Sequence, residues 1–172
     1  SAYGHTMLHT LTAPYARVFG VFFNPNGNAA FARLEVRKAL SFAIDRAHIT
    51  RDVLGGYATA IMGPVPPGGG IVETPVPTFA DPISEAASVL VGAGWEYDHI
   101  ARVWKHAGAK LSLDTITIKT SNVAELKAVA SAVKTDWEKL GIPVDIELYE
   151  PGDLNQNVIR PRKYTALLFG MV

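Results

Sequence analysis

The first candidates for chemistry are two charged residues inside a strongly patterned stretch. In "VRKALSFAIDRAHI", residues 36–49, the pair Asp45-Arg46 interrupts an apolar rhythm. As a catalytic acid or base, Asp45 would need a perturbed environment and a partner at hydrogen-bond distance. As architecture, Asp45 caps a second helix and Arg46 sits in that helix's exposed first turn. The break in periodicity falls at this point, which favours the cap.

Other combinations are less specific. His5 and His9, in "HTMLH", have the i, i+4 spacing of two metal ligands but lack the Glu of the metalloprotease motif, so no metal site is assigned. "PPGGG" has no Lys-Ser/Thr after it and is not a phosphate loop. There is no G-x-S-x-G elbow and no cysteine, so neither a serine elbow nor a thiolate is on offer. The absence of cysteine also removes disulfides and thiolate metal sites.

In α/β sheets ligands sit outside the carboxyl ends of strands. The positions that follow the expected strands are Asn24, Ser121-Asn122, the run from Glu150 to Asp153, and the run from Gly170 to Val172. Arg160 and Arg162 lie nearby in "NVIRPRKY", and Arg's planar fork suits carboxylates. The candidate ligand-contacting set is therefore Asn24, Ser121, Glu150, Gly152, Asp153, Arg160, Arg162, Gly170 and Met171. Asn122 is assigned instead to a helix cap.

These residues need elements to hold them. "VFGVFF", residues 18–23, reads as a buried strand stopped by Asn24-Pro25-Asn26-Gly27. Val36, Ala39, Leu40, Ala43 and Ile44 form one face of a helix over residues 34–44. A second helix begins after Asp45, runs to about Leu54 and is closed by Gly55-Gly56. Residues 61–79 hold five prolines and four glycines, a density no regular element survives. Asp81-Pro82 starts the next helix, with Ala86, Ala87, Leu90 and Val91 on its apolar side. From Trp95 to Leu113, irregular or hairpin structure is expected around residues 103–104 and 111–113.

The last third is the clearest. Residues 115–119, "TITIK", form a strand. Asn122 and Glu125 make a capping box for a helix reaching about Leu140, whose buried face is Leu126, Val129, Val133, Trp137 and Leu140. "VDIELY", residues 144–149, is a strand parallel to the first, with a right-handed crossover between them. A short helix near 154–159 and a strand over 165–169 follow. Alternating strands and helices define an α/β fold, a mixed sheet flanked by helices, in a single domain over residues 1–172.

Of the 172 residues, 16 are basic and 16 acidic, a balance that argues against nucleic acid as partner. No apolar run approaches the roughly 20 residues of a membrane helix. The start does not read as a signal peptide.

Three stretches together carry a resemblance. "FNPNGNAAFARLEVRKALSFAIDRAHITRDVLGGYATAIMGPVPPG" resembles the V-R-x-A-L-x-x-A-I-D-R segment of extracellular solute-binding proteins of the peptide type, with its following G-P-x-P-P loop. "DPISEAASVLVGAGW" resembles their D-P-x-x-A-x-x-L-L-x-x-A-G-W helix. "LGIPVDIELYEPGDLNQNVIRPRKYTALLFG" is similar to their L-G-I-x-V-x-(I/L) segment. The three follow the family's order and cover most of the chain. The family serves ABC importers of oligopeptides, dipeptides and nickel.

The resemblance implies a type II periplasmic-binding-protein-like fold of two hinged lobes, of which this chain is the second. It implies a binding protein and not an enzyme, monomeric and without a cofactor. Such a protein closes on a peptide or other small solute and docks on an ABC permease. Its place is extracytoplasmic, in the periplasm or lipid-anchored at the cell surface. The final strand approaches the hinge, and the chain stops just short of the family's ligand-contacting stretch. It departs from some relatives at Leu168, where they have a basic residue, and at Met171, an aromatic position. Two other readings are a stand-alone interaction module docking through the Pro/Gly loop, and a hydrolase using Glu150 and Asp153.

Overall fold

In the computed structural model, the described residues are 17–63 and 75–171. His5, His9 and the "PPGGG" run lie outside them, as do Val172 and the side chain of Met171.

Four strands form one mixed sheet in the order β1-β7-β5-β6. These are β1 (Val18–Phe23), β5 (Ile116–Ser121), β6 (Val144–Tyr149) and β7 (Ala166–Met171). β5 pairs parallel with β6, Ile116 opposite Val144 and Ser121 opposite Tyr149, as the strand-helix-strand pattern predicts. β5 also pairs parallel with β7, whereas β1 runs antiparallel to β7, with Val18 opposite Met171 and Phe23 opposite Ala166.

The sheet is covered on both faces, because its strands carry apolar residues at both parities. Ile116, Ile118 and Leu168 point into the main core. There they meet α4 (Ala124–Lys139), whose Leu126, Val129, Val133 and Trp137 are buried as the 3.6-residue pattern requires. The next residues along β7, Leu167 and Phe169, face a second cluster with Leu154 and Val158. That cluster comes from a short helix α5 (Pro151–Asp153) continuing as a π-helical turn (Leu154–Ile159).

Beyond α4 lies α1 (Leu34–Ala43), which packs along α3 (Pro82–Gly92). The indole N–H of Trp137 donates to the Leu40 carbonyl at 2.9 Å and ties α4 to α1. Phe23 sits between Phe31 and Trp137, with ring centroids 4.7 and 5.9 Å away. The α3 start follows its sequence signal: the Asp81 carboxylate accepts from the Ile83 and Ser84 N–H groups, both at 3.1 Å.

Several expectations change. Val91 is 60% exposed, because α3 buries Ala86 and Leu90 and turns its next residue to solvent. The helix expected to run unbroken from residue 46 to 54 is α2 (Arg46–His48) widening into a π-helical turn (Ile49–Val53). Gly55 and Gly56 close it with φ of 64° and 79°. Residues 96–113 form a complete three-stranded antiparallel sheet, β2 (Glu96–Asp98), β3 (Val103–His106) and β4 (Leu111–Leu113). Trp104 anchors this small sheet to the end of α4, donating its indole N–H to the Leu140 carbonyl at 2.8 Å.

Candidate functional site

The three parallel strands finish on the same side of the sheet, and this carboxyl edge gathers most of the polar candidates. Ser121 ends β5 and Tyr149 ends β6. The Asn122 N–H donates to the Tyr149 carbonyl at 2.9 Å, carrying the ladder one step past the strands. The Asn122 side-chain amide then donates to the Glu150 carboxylate. The capping box is therefore not formed: Asn122 is held across the sheet, and the N-cap position of α4 falls to Val123, which makes no side-chain cap. Ser121, 3% exposed, accepts from the Val123 N–H at 3.3 Å.

Glu125, the other half of the expected box, pairs with Arg17 at 3.2 Å. The Arg17 guanidinium also lies over the Phe19 ring, 4.8 Å from its centroid. Gly170 makes that path possible. A Cβ there would stand 2.8 Å from Arg17 Nε and 2.9 Å from Phe19 Cε1. Gly170 and Met171 are ladder residues of β7, not the loop after it. The edge thus presents an exposed carboxylate, an amide, a guanidinium and the uncapped N-terminus of a 16-residue helix.

Just below this edge, β5 and β6 carry a polar trio. The Lys119 ammonium lies 3.1 Å from Glu147 Oε2 and 3.3 Å from the Tyr149 hydroxyl, which donates to Glu147 at 2.7 Å. Burial alone would lower the Lys119 pKa, but the bonds to Glu147 and Tyr149 outweigh it and hold the ammonium above its ordinary value. The Tyr149 hydroxyl, and then Lys119, hold the Glu147 carboxyl below its own.

The remaining candidates stand elsewhere. Gly152 and Asp153 are in α5, where the Asp153 carboxylate accepts from the Asn157 amide. Asn24 is at the opposite end of the sheet, because β1 is antiparallel and its carboxyl end meets the start of β7. Its N–H donates to the Thr165 carbonyl at 2.8 Å and its amide to the Arg162 carbonyl at 3.1 Å. Arg160, at the end of the π-helical turn, and Arg162 beyond it lie toward that same end. Asn24 and Arg162 help line an open hollow of about 430 Å³ with Lys119 and Glu147. The sequence-derived set therefore divides between the two ends of the sheet.

Asp45 does cap: its carboxylate accepts from the His48 N–H at 2.8 Å. Arg46 is not in an exposed turn. It folds back on α1, donating to the Ser41 carbonyl at 2.7 Å and the Ser41 hydroxyl at 2.8 Å. Among the described residues no group of three or more metal-ligating side chains gathers, and no serine is hydrogen-bonded to a histidine.

A mixed sheet with helices on both faces and a polar carboxyl edge is the architecture of type II periplasmic-binding-protein-like chains. Residues 2–172 match the family described as "Bacterial extracellular solute-binding proteins, family 5 Middle", and the chain belongs to it. It is similar to the oligopeptide-binding protein AppA of Bacillus subtilis, solved with a nonapeptide, with a TM-score of 0.75 and 23% identity; 90% of this chain covers 31% of that one. A nickel ABC transporter structure from Bacillus halodurans gives a TM-score of 0.71 at 21% identity, again with 90% and 31% covered. Heme-binding protein A of Haemophilus influenzae is 25% identical over 142 residues, 83% of this chain and 24% of that protein. The chain thus spans 24% to 31% of the length of these relatives.

Proposed function

We propose that the chain is the second lobe of a two-lobed solute-binding protein that serves an ABC importer. It captures peptides or similar small solutes outside the cytoplasmic membrane and delivers them to a permease, and it performs no catalysis. The observation that carries this reading is the shared carboxyl edge of β5, β6 and β7, where the exposed Asn122–Glu150 pair and the half-buried Arg17 stand beside the start of α4. Membership of an extracellular solute-binding family supports it, as do the peptide and nickel proteins among the similar folds. Ser121, Glu150, Gly170 and Met171 form one wall of the site, and the other lobe supplies the facing wall. Ligand binding biases closure of the two lobes.

Pockets of this kind bury roughly 70–90% of a ligand, which a single wall cannot do. Calorimetry with tri- to pentapeptides is the test. The complete two-lobed protein binds at least one of them at micromolar affinity or tighter, and the 172-residue chain alone binds none of them that well. Micromolar binding by the chain alone would overturn the lobe reading. In the complete protein, Glu150→Ala weakens binding at least tenfold, and unchanged affinity would remove Glu150 from the wall.

A further inference from the structure

A hollow of about 380 Å³ runs along the whole of β1, on the face of the sheet that α4 covers. Its walls are apolar for the most part, among them Phe19, Val21, Ile44, Leu54, Ile61 and Trp137. The polar group that stands out is Arg46. Two of its five N–H donors go to Ser41, one to the carbonyl and one to the hydroxyl. Among the described residues the other three meet no acceptor, and Arg46 lines the hollow.

A guanidinium in such surroundings ordinarily has a carboxylate partner, because burying a charge alone is costly. Among the described residues, none of the ion pairs includes Arg46. Its neighbour Asp45 uses its carboxylate to cap α2. Burial holds the Arg46 pKa below its ordinary value, as expected of a cation that has lost water.

We propose that this hollow is a binding site for a small amphipathic carboxylate, whose head group meets the Arg46 N–H groups not given to Ser41 and whose apolar body fills the space between β1 and the π-helical turn over Ile49–Val53. A carboxylate fits the planar fork better than a hydroxyl or an amide does. Size limits the body. At about 30 Å³ for each water-sized group, the hollow holds about a dozen heavy atoms, the size of a decanoate ion. The Ser41 and Thr50 hydroxyls are the other side-chain polar groups near Arg46 on the lining.

Trp137 lines the hollow and the two other tryptophans do not, which supplies a direct readout. The complete protein is titrated with 10-bromodecanoate below its micelle concentration, and tryptophan quenching is followed. Saturable quenching is expected, competed by decanoate and at least tenfold more weakly by decanol. Arg46→Gln, confirmed folded by circular dichroism, raises the decanoate Kd at least tenfold and leaves decanol unchanged. No saturable quenching would overturn the proposal, and so would equal competition by acid and alcohol. If Arg46→Gln does not fold, the comparison of acid with alcohol in the unaltered protein decides alone. A folded Arg46→Gln that binds decanoate undiminished would also overturn it.

Discussion

The backbone N–H of Asp45 donates to Asp136 Oδ2 at 2.9 Å, joining positions 91 residues apart. Asp136 is only 4% exposed, and its other oxygen accepts from the Lys139 ammonium at 3.0 Å. The joint between α1 and α2 therefore has two carboxylates. Asp45 satisfies the N–H of His48, while Asp136 satisfies the N–H of Asp45 itself.

The two differ in what their loss leaves behind. Asp45→Ala removes an exposed cap and costs about 1 kcal/mol. Asp136→Ala strands a donor and opens space at a buried position, so it costs more, about 2–3 kcal/mol. Urea denaturation of both variants checks the order, and equal losses would contradict it.

Gly141 ends α4 with φ of 86°, and a Cβ there would lie 2.7 Å from the Tyr97 ring. Gly94 has the same φ, but its nearest neighbour, His106, would be 3.5 Å away. Both Gly→Ala variants incur the left-handed backbone penalty of about 1–2 kcal/mol. Gly141→Ala must also push the β2–β4 sheet off α4, so its urea midpoint falls further than that of Gly94→Ala.

Arg162 follows the π-helical turn with φ of 54°, and the flanking bonds are those of a Schellman motif. Arg162 N–H donates to the Ile159 carbonyl at 3.1 Å, and Lys163 N–H to the Val158 carbonyl at 2.9 Å. Glycine is the usual occupant of that position. Arg162→Gly relieves about 1–2 kcal/mol of backbone strain and gives back about 0.5–1 kcal/mol in chain entropy. The variant is therefore expected to be slightly more stable, by about 0.5 kcal/mol, which a rise in melting temperature will show.

Asp98 has a pKa lowered to about 2, first by the hydrogen bond from Lys105 and then by the backbone N–H groups of Ala101 and Ile100. A depressed carboxyl is fully stabilising above its unfolded value and loses that contribution as pH falls through the folded one. The β2–β3 turn is therefore insensitive to pH above about 4, and loosens as pH falls from there to about 2. Carboxyl carbon shifts titrated by NMR will report the Asp98 midpoint, and the Ile100 and Ala101 amides will follow it. Lys105→Met should move that midpoint upward.

Local patterning carried much of the fold. The apolar faces of α1 and α4, the Asp81-Pro82 start, and the strands over residues 18–23 and 144–149 all appear where periodicity and caps put them. What stayed hidden depended on distant partners. Asn122 and Glu125 have the spacing of a capping box, yet Glu150 and Arg17 compete for them from other elements and win. The direction of β1 could not be read from "VFGVFF", and that direction alone sends Asn24 to the far end of the sheet. Strands of three or four residues, as in β2 to β4, are too short for alternation to register. Arg46 looked solvated because its acceptors, on Ser41, lie five positions back across a helix break.

The antiparallel pairing of β1 and β7 has a mechanical side. Val18 and Met171 face each other at one end of the ladder. Tension applied between these two points would load the hydrogen bonds of that pair one after another, like opening a zipper, whereas a parallel arrangement would share the load in shear. The β1–β7 seam is thus the direction in which the sheet yields most readily to force. Force-probe measurements pulling at these positions should find low rupture forces, and pulling between Val18 and Phe23 of the same strand should not.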